Sequence, residues 1–167
     1  MRPPIFHVPD LDVSPLPTPY APTGPAAVHY APRLAQLGGP QGVTGLATNL
    51  IALAPGMRAF PFHSHRNNDE LFYVITGAGE LRYGAEAWPI REGDLIACPA
   101  GGPETAHQIR NTGTVELRYL AIGTNVSPDI VEYPDTGQYK AHAHGVPPFD
   151  IVAHRERTAD YWAVPHE

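Results

Sequence analysis

The chain has 167 residues, enough for one domain with a sizeable core and short for two. Charged residues make up 17% and apolar residues 43%, which excludes a disordered polyelectrolyte, and a net charge of −6 leaves no basic footprint for nucleic acid or an anionic membrane surface. The 20 prolines and 16 glycines interrupt the chain too often for long helices, and no apolar run reaches the roughly 18–20 residues that span a bilayer.

Ten of the prolines fall within residues 1–40, as in VSPLPTPYAPTGPAA, with Ile5, Phe6, Val8, Leu11, Leu16, Tyr20 and Tyr30 between them. Proline fixes φ and donates no hydrogen bond, so residues 1–41 are expected to be an extended arm whose apolar side chains pack on the rest of the chain or on a partner subunit. Within it, PRLAQLGG (32–39) predicts a short helical turn ending at Gly38-Gly39. The opening MRPPIFHVPD lacks the basic and apolar regions of a secretory signal, and the lone Cys98 cannot form an intrachain disulfide, so a cytoplasmic protein is expected.

From Gly42 the texture changes. GLATNLIALAPG, MRAFPFHSH, ELFYVITGAGELRYG, AEAWPI, LIACPAGG, AHQIRN and VELRYLAIGT are apolar runs bounded by Gly, Asn, Asp or Pro, the signature of an antiparallel all-β sandwich or barrel. We expect 42–167 to be one such barrel domain with a C-terminal extension in which FDIVAH is the single readable strand. ELFYVIT is apolar on both alternating faces and therefore needs cover on both, which points to a homodimer.

Chemistry concentrates at His63-Ser64-His65. Side chains at i and i+2 of a strand share a face, so these imidazoles converge, and a hairpin across RNND returns Glu70 beside them. Two histidines and a carboxylate with open positions suit one divalent ion per subunit: Fe, Mn, Ni, Co or Zn. By period two, Phe72, Val74 and Ile109 face the same pocket, with Pro61 preceding His63, while Phe60 and Phe62 fall on the opposite phase. Tyr119 and Arg82 are further pocket candidates. The loop Gly101–Thr105 belongs at the pocket mouth, with Glu104 its one carboxylate. Cys98 reads as a small buried hydrophobe and Asn111 as a turn brace. His142-Ala143-His144 repeats the i, i+2 pattern without an acidic partner at hairpin distance, so an exposed tract is expected there rather than a second metal.

These motifs resemble those of the cupin superfamily. Gly56, His63-Ser64-His65, four residues, Glu70, six residues and Gly77 match its first motif with a spacer one residue longer. Gly93, five residues, Pro99-Ala100-Gly101, then His107, three residues and Asn111 match its second, lengthened by the extra loop GPETA. More narrowly, PAGG…AHQIRN, LRYLAIGT, DIVEYPDTG and a closing DYW are similar to small single-domain bacterial cupins without an assigned reaction. The resemblance implies a double-stranded β-helix, a jelly-roll-like barrel, with a metal held by His63, His65, Glu70 and His107. It implies a metal-dependent enzyme on a small organic molecule, dioxygenase-like or isomerase-like. A non-catalytic metal-containing protein that binds or senses a small ligand is the alternative.

Overall fold

The computed structural model describes residues 4–163 and is all-β, with thirteen strands in three hydrogen-bonded groups. In chain order the strands are β1 Ser14–Pro15, β2 Arg33–Gln36, β3 Leu46–Leu53, β4 Ser64–His65, β5 Glu70–Thr76, β6 Ala78–Tyr83 and β7 Glu86–Arg91. They continue with β8 Leu95–Cys98, β9 His107–Arg110, β10 Leu117–Thr124, β11 Asp129–Tyr133, β12 Gln138–Ala143 and β13 Phe149–His154. One sheet runs β1-β2-β3-β10-β5-β8. The other groups, β7-β6-β9 and β13-β12-β11-β4, are joined by residues 58–65, which bridge to β9 at Arg58–Arg110 and His63–His107 and continue into β4. Among the described residues no helix is long and apolar enough to cross a membrane.

Alternation builds the core. On the first sheet Asn49, Ala121, Phe72 and Ile96 form one inward row across four strands, and Ile51, Tyr119 and Val74 form the next. Leu81, Ile90 and Ile109 answer from the opposite group, and all but Asn49 are buried in one cluster. Each such aliphatic or aromatic side chain contributes on the order of 1.5–3 kcal/mol by leaving water. The inward file does not stay apolar: one step beyond Phe72 on β5 stands Glu70, and one step beyond Ile109 on β9 stands His107. One end of the barrel is therefore polar by sequence.

The outward phase of the first sheet is covered unevenly. Leu50 and Ala52 point outward yet are fully buried, and the Leu11 carbonyl accepts a hydrogen bond from the outward Arg118 at 3.0 Å. Leu71, Tyr73 and Leu95 remain exposed.

Two expectations need correction. Residues 32–39 do not form a helical turn: Arg33–Gln36 is β2, paired antiparallel with β3 from Arg33–Ala52 to Gln36–Asn49, and the helical turn falls later, at Gly39–Gln41. The C-terminal extension holds three strands rather than one, since β11 and β12 precede β13 and close the sheet that carries β4.

Candidate metal centre

Both layers contribute to the polar end of the barrel. His63 lies beside β9, where His63 and His107 exchange backbone hydrogen bonds of 3.2 and 2.8 Å, so the two imidazoles are fixed as neighbours by the sheet itself. His65 is on β4, opposite Val131 of β11. The turn 66–69 then crosses to the other layer, where Glu70 opens β5 between Gly123 of β10 and Cys98 of β8.

The four side chains meet at one atom. Glu70 Oε2 lies 2.8 Å from His107 Nε2, 3.5 Å from His65 Nε2 and 3.9 Å from His63 Nε2. Ligand atoms of His63, Glu70 and His107 all fall within 4.8 Å of one another, the spread a single ion can span. Behind each imidazole stands an acceptor. His63 Nδ1 faces the Pro61 carbonyl at 2.7 Å, His65 Nδ1 faces Asp129 Oδ2 at 2.7 Å, and His107 Nδ1 faces the Thr105 carbonyl at 3.2 Å. An acceptor opposite Nδ1 holds the proton there and turns Nε2 to the centre, the arrangement that metal-ligating histidines use. Asp129 is itself anchored, its Oδ1 accepting from the amides of Asn67 at 3.0 Å and Ile130 at 2.8 Å.

Burial and mutual contact set the charges of the cluster. Burial, with His107 adjacent, lowers His63 to about 4. Burial works to raise Glu70, but the hydrogen bond from His107 and the fields of the three imidazoles overcome it and lower it to about 2. Burial likewise opposes the imidazolium of His107, yet the neighbouring Cys98 sulfur and the hydrogen bond to Glu70 raise it to about 10. Among the described residues no Lys or Arg lies within ion-pair distance of Glu70, and the protonated imidazole of His107, at 2.8 Å, is the cation that answers it. Glu70 with the imidazoles of His63 and His107 is a donor set that could hold a first-row divalent ion; His65 falls outside that mutual 4.8 Å group, although its Nε2 lies 3.5 Å from Glu70 Oε2.

A cavity of about 90 Å³ opens behind the cluster, walled mainly by Leu34, Ile51, Phe60, Phe72, Ile109 and Tyr119, with Asn49 and Gln108 as its neutral polar groups. Phe72, Ile109 and Tyr119 thus stand where the sequence suggested. Val74 does not reach the cavity; it lies one inward row deeper, fully buried against the core. Arg82 faces elsewhere: its guanidinium sits 3.6 Å over the Phe62 ring and forms a bidentate pair with Asp135 at 2.7 and 2.9 Å. Glu104 folds back onto its own loop, accepting from the Gly102 amide at 2.8 Å, and this bond holds its carboxyl below the usual range. Phe60, placed on the opposite phase by counting, lines the cavity because residues 57–63 make isolated bridges instead of a continuous strand.

Residues that sequence reasoning did not single out are Asp129, Leu34, Asn49 and Gln108. Alternation along β3 would have suggested Asn49 and Ile51 together. Nothing local marks Asp129, which is separated from His65 by 64 positions.

Residues 49–123 match the family model described as the cupin domain. The chain resembles the crystal structure of a putative sugar phosphate isomerase from Acidithiobacillus ferrooxidans, with 27% identity, 82% of each chain covered and a TM-score of 0.69. It also superposes on a sugar phosphate isomerase of the cupin superfamily from Silicibacter pomeroyi over 92% of this chain and 94% of that one, with a TM-score of 0.78 at 23% identity, which speaks for the fold. An oxalate-binding protein of Thermotoga maritima is 31% identical over 72 residues, 43% of this chain and 56% of that one. The chain spans about half the length of the curated relatives it matches.

Proposed function

We propose that this cupin-domain protein is a metal-dependent enzyme acting on a small organic molecule, with one divalent ion per subunit (Fe, Mn, Ni, Co or Zn) held by His63, His65, Glu70 and His107. The observation that carries the reading is the acceptor behind each Nδ1, which turns three Nε2 atoms toward Glu70 Oε2. A bound divalent ion supplies a Lewis acid with positions left open for substrate oxygens. The chain's own residues do the rest. Phe72, Ile109 and Ile51 exclude water from the cavity, and Gln108, fixed by its hydrogen bond to the Phe60 carbonyl at 2.7 Å, presents an amide to what enters. Burial raises the phenol of Tyr119, which keeps it protonated and able to donate.

Isomerase-like chemistry is favoured over oxidation by the likeness to the putative sugar phosphate isomerase, which extends along most of both chains. The second reading, a binding or sensor protein, draws support from the relative named for oxalate binding. We further propose a cytoplasmic homodimer in which residues 1–41 form an arm and 42–167 the barrel domain with its extension.

The test begins with metal content. Purified protein loaded with each of the five ions should retain about one equivalent by plasma emission, and His65→Ala should lose it while keeping the β-rich circular dichroism spectrum. Less than a tenth of an equivalent with every ion would end the metal reading. Turnover is then sought with phosphorylated aldoses, with oxalate, and as oxygen uptake on phenolic and keto-acid substrates. Tight binding without turnover would select the sensor.

A further inference from the structure

On the other side of His63 from the apolar cavity lies a second, wider basin of about 240 Å³. His63 and His65 form its inner wall, Tyr133 stacks on His63 at 6.3 Å, and Lys140 and His142 form its outer wall. Sheet register explains the assembly. His65 of β4 pairs with Val131 of β11, and Val131 pairs with Lys140 of β12, so these three residues form one row with their side chains on one face. Two strand spacings put the Lys140 backbone roughly 10 Å from that of His65, a gap that a four-carbon side chain largely closes. His142 follows at i+2 on the same face, opposite Asp129. The HxH pattern near the C-terminus therefore has a location: its first histidine walls the metal site, with one carboxylate, Asp129, at 3.8 Å and no ligand set of its own among the described residues.

The charge of this basin is one-sided. Lys140 is its permanent charge, no carboxylate lines it among the described residues, and the His142 imidazole and the Tyr133 phenol offer N–H and O–H donors. Asp129 sits behind His65 and His142 with its side chain wholly buried, committed to the bonds already described. Lys140 has one competitor, the half-exposed Asp150 of β13 at 3.1 Å. A donor-rich, cation-bearing basin open to solvent beside a metal centre matches a small oxyanion.

We propose that this basin is the anion subsite of the metal centre: Lys140 and His142 take the phosphate or carboxylate of a small ligand whose other end reaches the ion. The inference rests on the metal-dependent reading for its second half only. The subsite itself stands on residues that are not metal ligands.

The test is calorimetric titration of the full chain, metal-free and zinc-loaded, with inorganic phosphate and separately with acetate. At least one oxyanion should bind the metal-free protein in the millimolar range, and which one binds identifies the headgroup. Lys140→Met should weaken that binding about tenfold or more, the loss of one charge-assisted contact. Lys140→Arg should restore most of it, and Asp150→Asn should tighten it by removing the competitor. If wild type binds neither anion, or if Lys140→Met, with its circular dichroism intact, binds as wild type does, the subsite is refuted. The two readings fail separately. Retained zinc with Lys140-independent anion binding sinks the subsite, whereas Lys140-dependent anion binding in a protein that holds no metal sinks the metal reading.

Discussion

Asp129 has the most leverage of any residue outside the proposed ligand set. Its Oδ2 accepts the His65 Nδ1 proton at 2.7 Å, and two backbone amides hold its Oδ1 in place. Asp129→Asn can keep the amide bonds, but its NH₂ group then confronts Nδ1 and favours the tautomer that carries the proton on Nε2, where the metal needs a lone pair. We expect metal affinity to fall about 10–100-fold, measured by competition with a chromophoric chelator, while the metal-free protein melts near the wild-type temperature. A variant that melts much earlier and binds metal normally would reduce Asp129 to a packing role.

The hairpins depend on tight turns. Gly77 joins β5 to β6 at φ +87°, and a Cβ placed there would lie 2.6 Å from the Glu116 carbonyl oxygen. Gly77→Ala is therefore expected to lose about 1–3 kcal/mol in denaturant unfolding, from the backbone conformation alone. Its metal stoichiometry should be unchanged, because the turn lies at the far end of β5 from Glu70. This turn, like most strands from Leu46 to Thr124, was legible in the sequence: apolar runs and punctuating turn residues mark them, and the His-x-His spacing located half the site. The elements that escaped did so for physical reasons. RLAQ has the composition of a helix, but pairing with β3 overrides so short a propensity. DIVEYPDTGQYKAHA mixes charges into its apolar positions because β11 and β12 carry Asp129, Glu132, Lys140 and His142. These polar positions blur the alternation by which strands are recognised.

At the scale of the whole molecule the unfinished surface is the outward face of β5 and β8. Leu71, Tyr73 and Leu95 are exposed side by side, with Tyr73 and Leu95 in register, and an apolar patch rimmed by polar residues marks an association site. We expect sedimentation equilibrium to give twice the chain mass. Leu95→Lys with Leu71→Asp should yield a monomer that still binds metal; an unchanged mass for this double variant would place the interface elsewhere. Removing residues 1–41 should leave β3 without its partner β2 and cause aggregation at concentrations where the full chain stays dispersed, as light scattering would register.

Leu34, on β2 beside Ile51, walls the apolar cavity, and Lys140 and His142 wall the basin from the other terminus; all three lie outside residues 49–123. Part of the wall that would choose a guest is thus encoded in stretches of chain apart from the proposed ligands. With Asp129 kept, changes in the two ends would alter these walls without touching a proposed ligand. A graft of residues 1–41 and 129–154 onto another barrel of this kind would carry these walls with it and, in Asp129, one support of the centre, leaving the proposed ligands to the host.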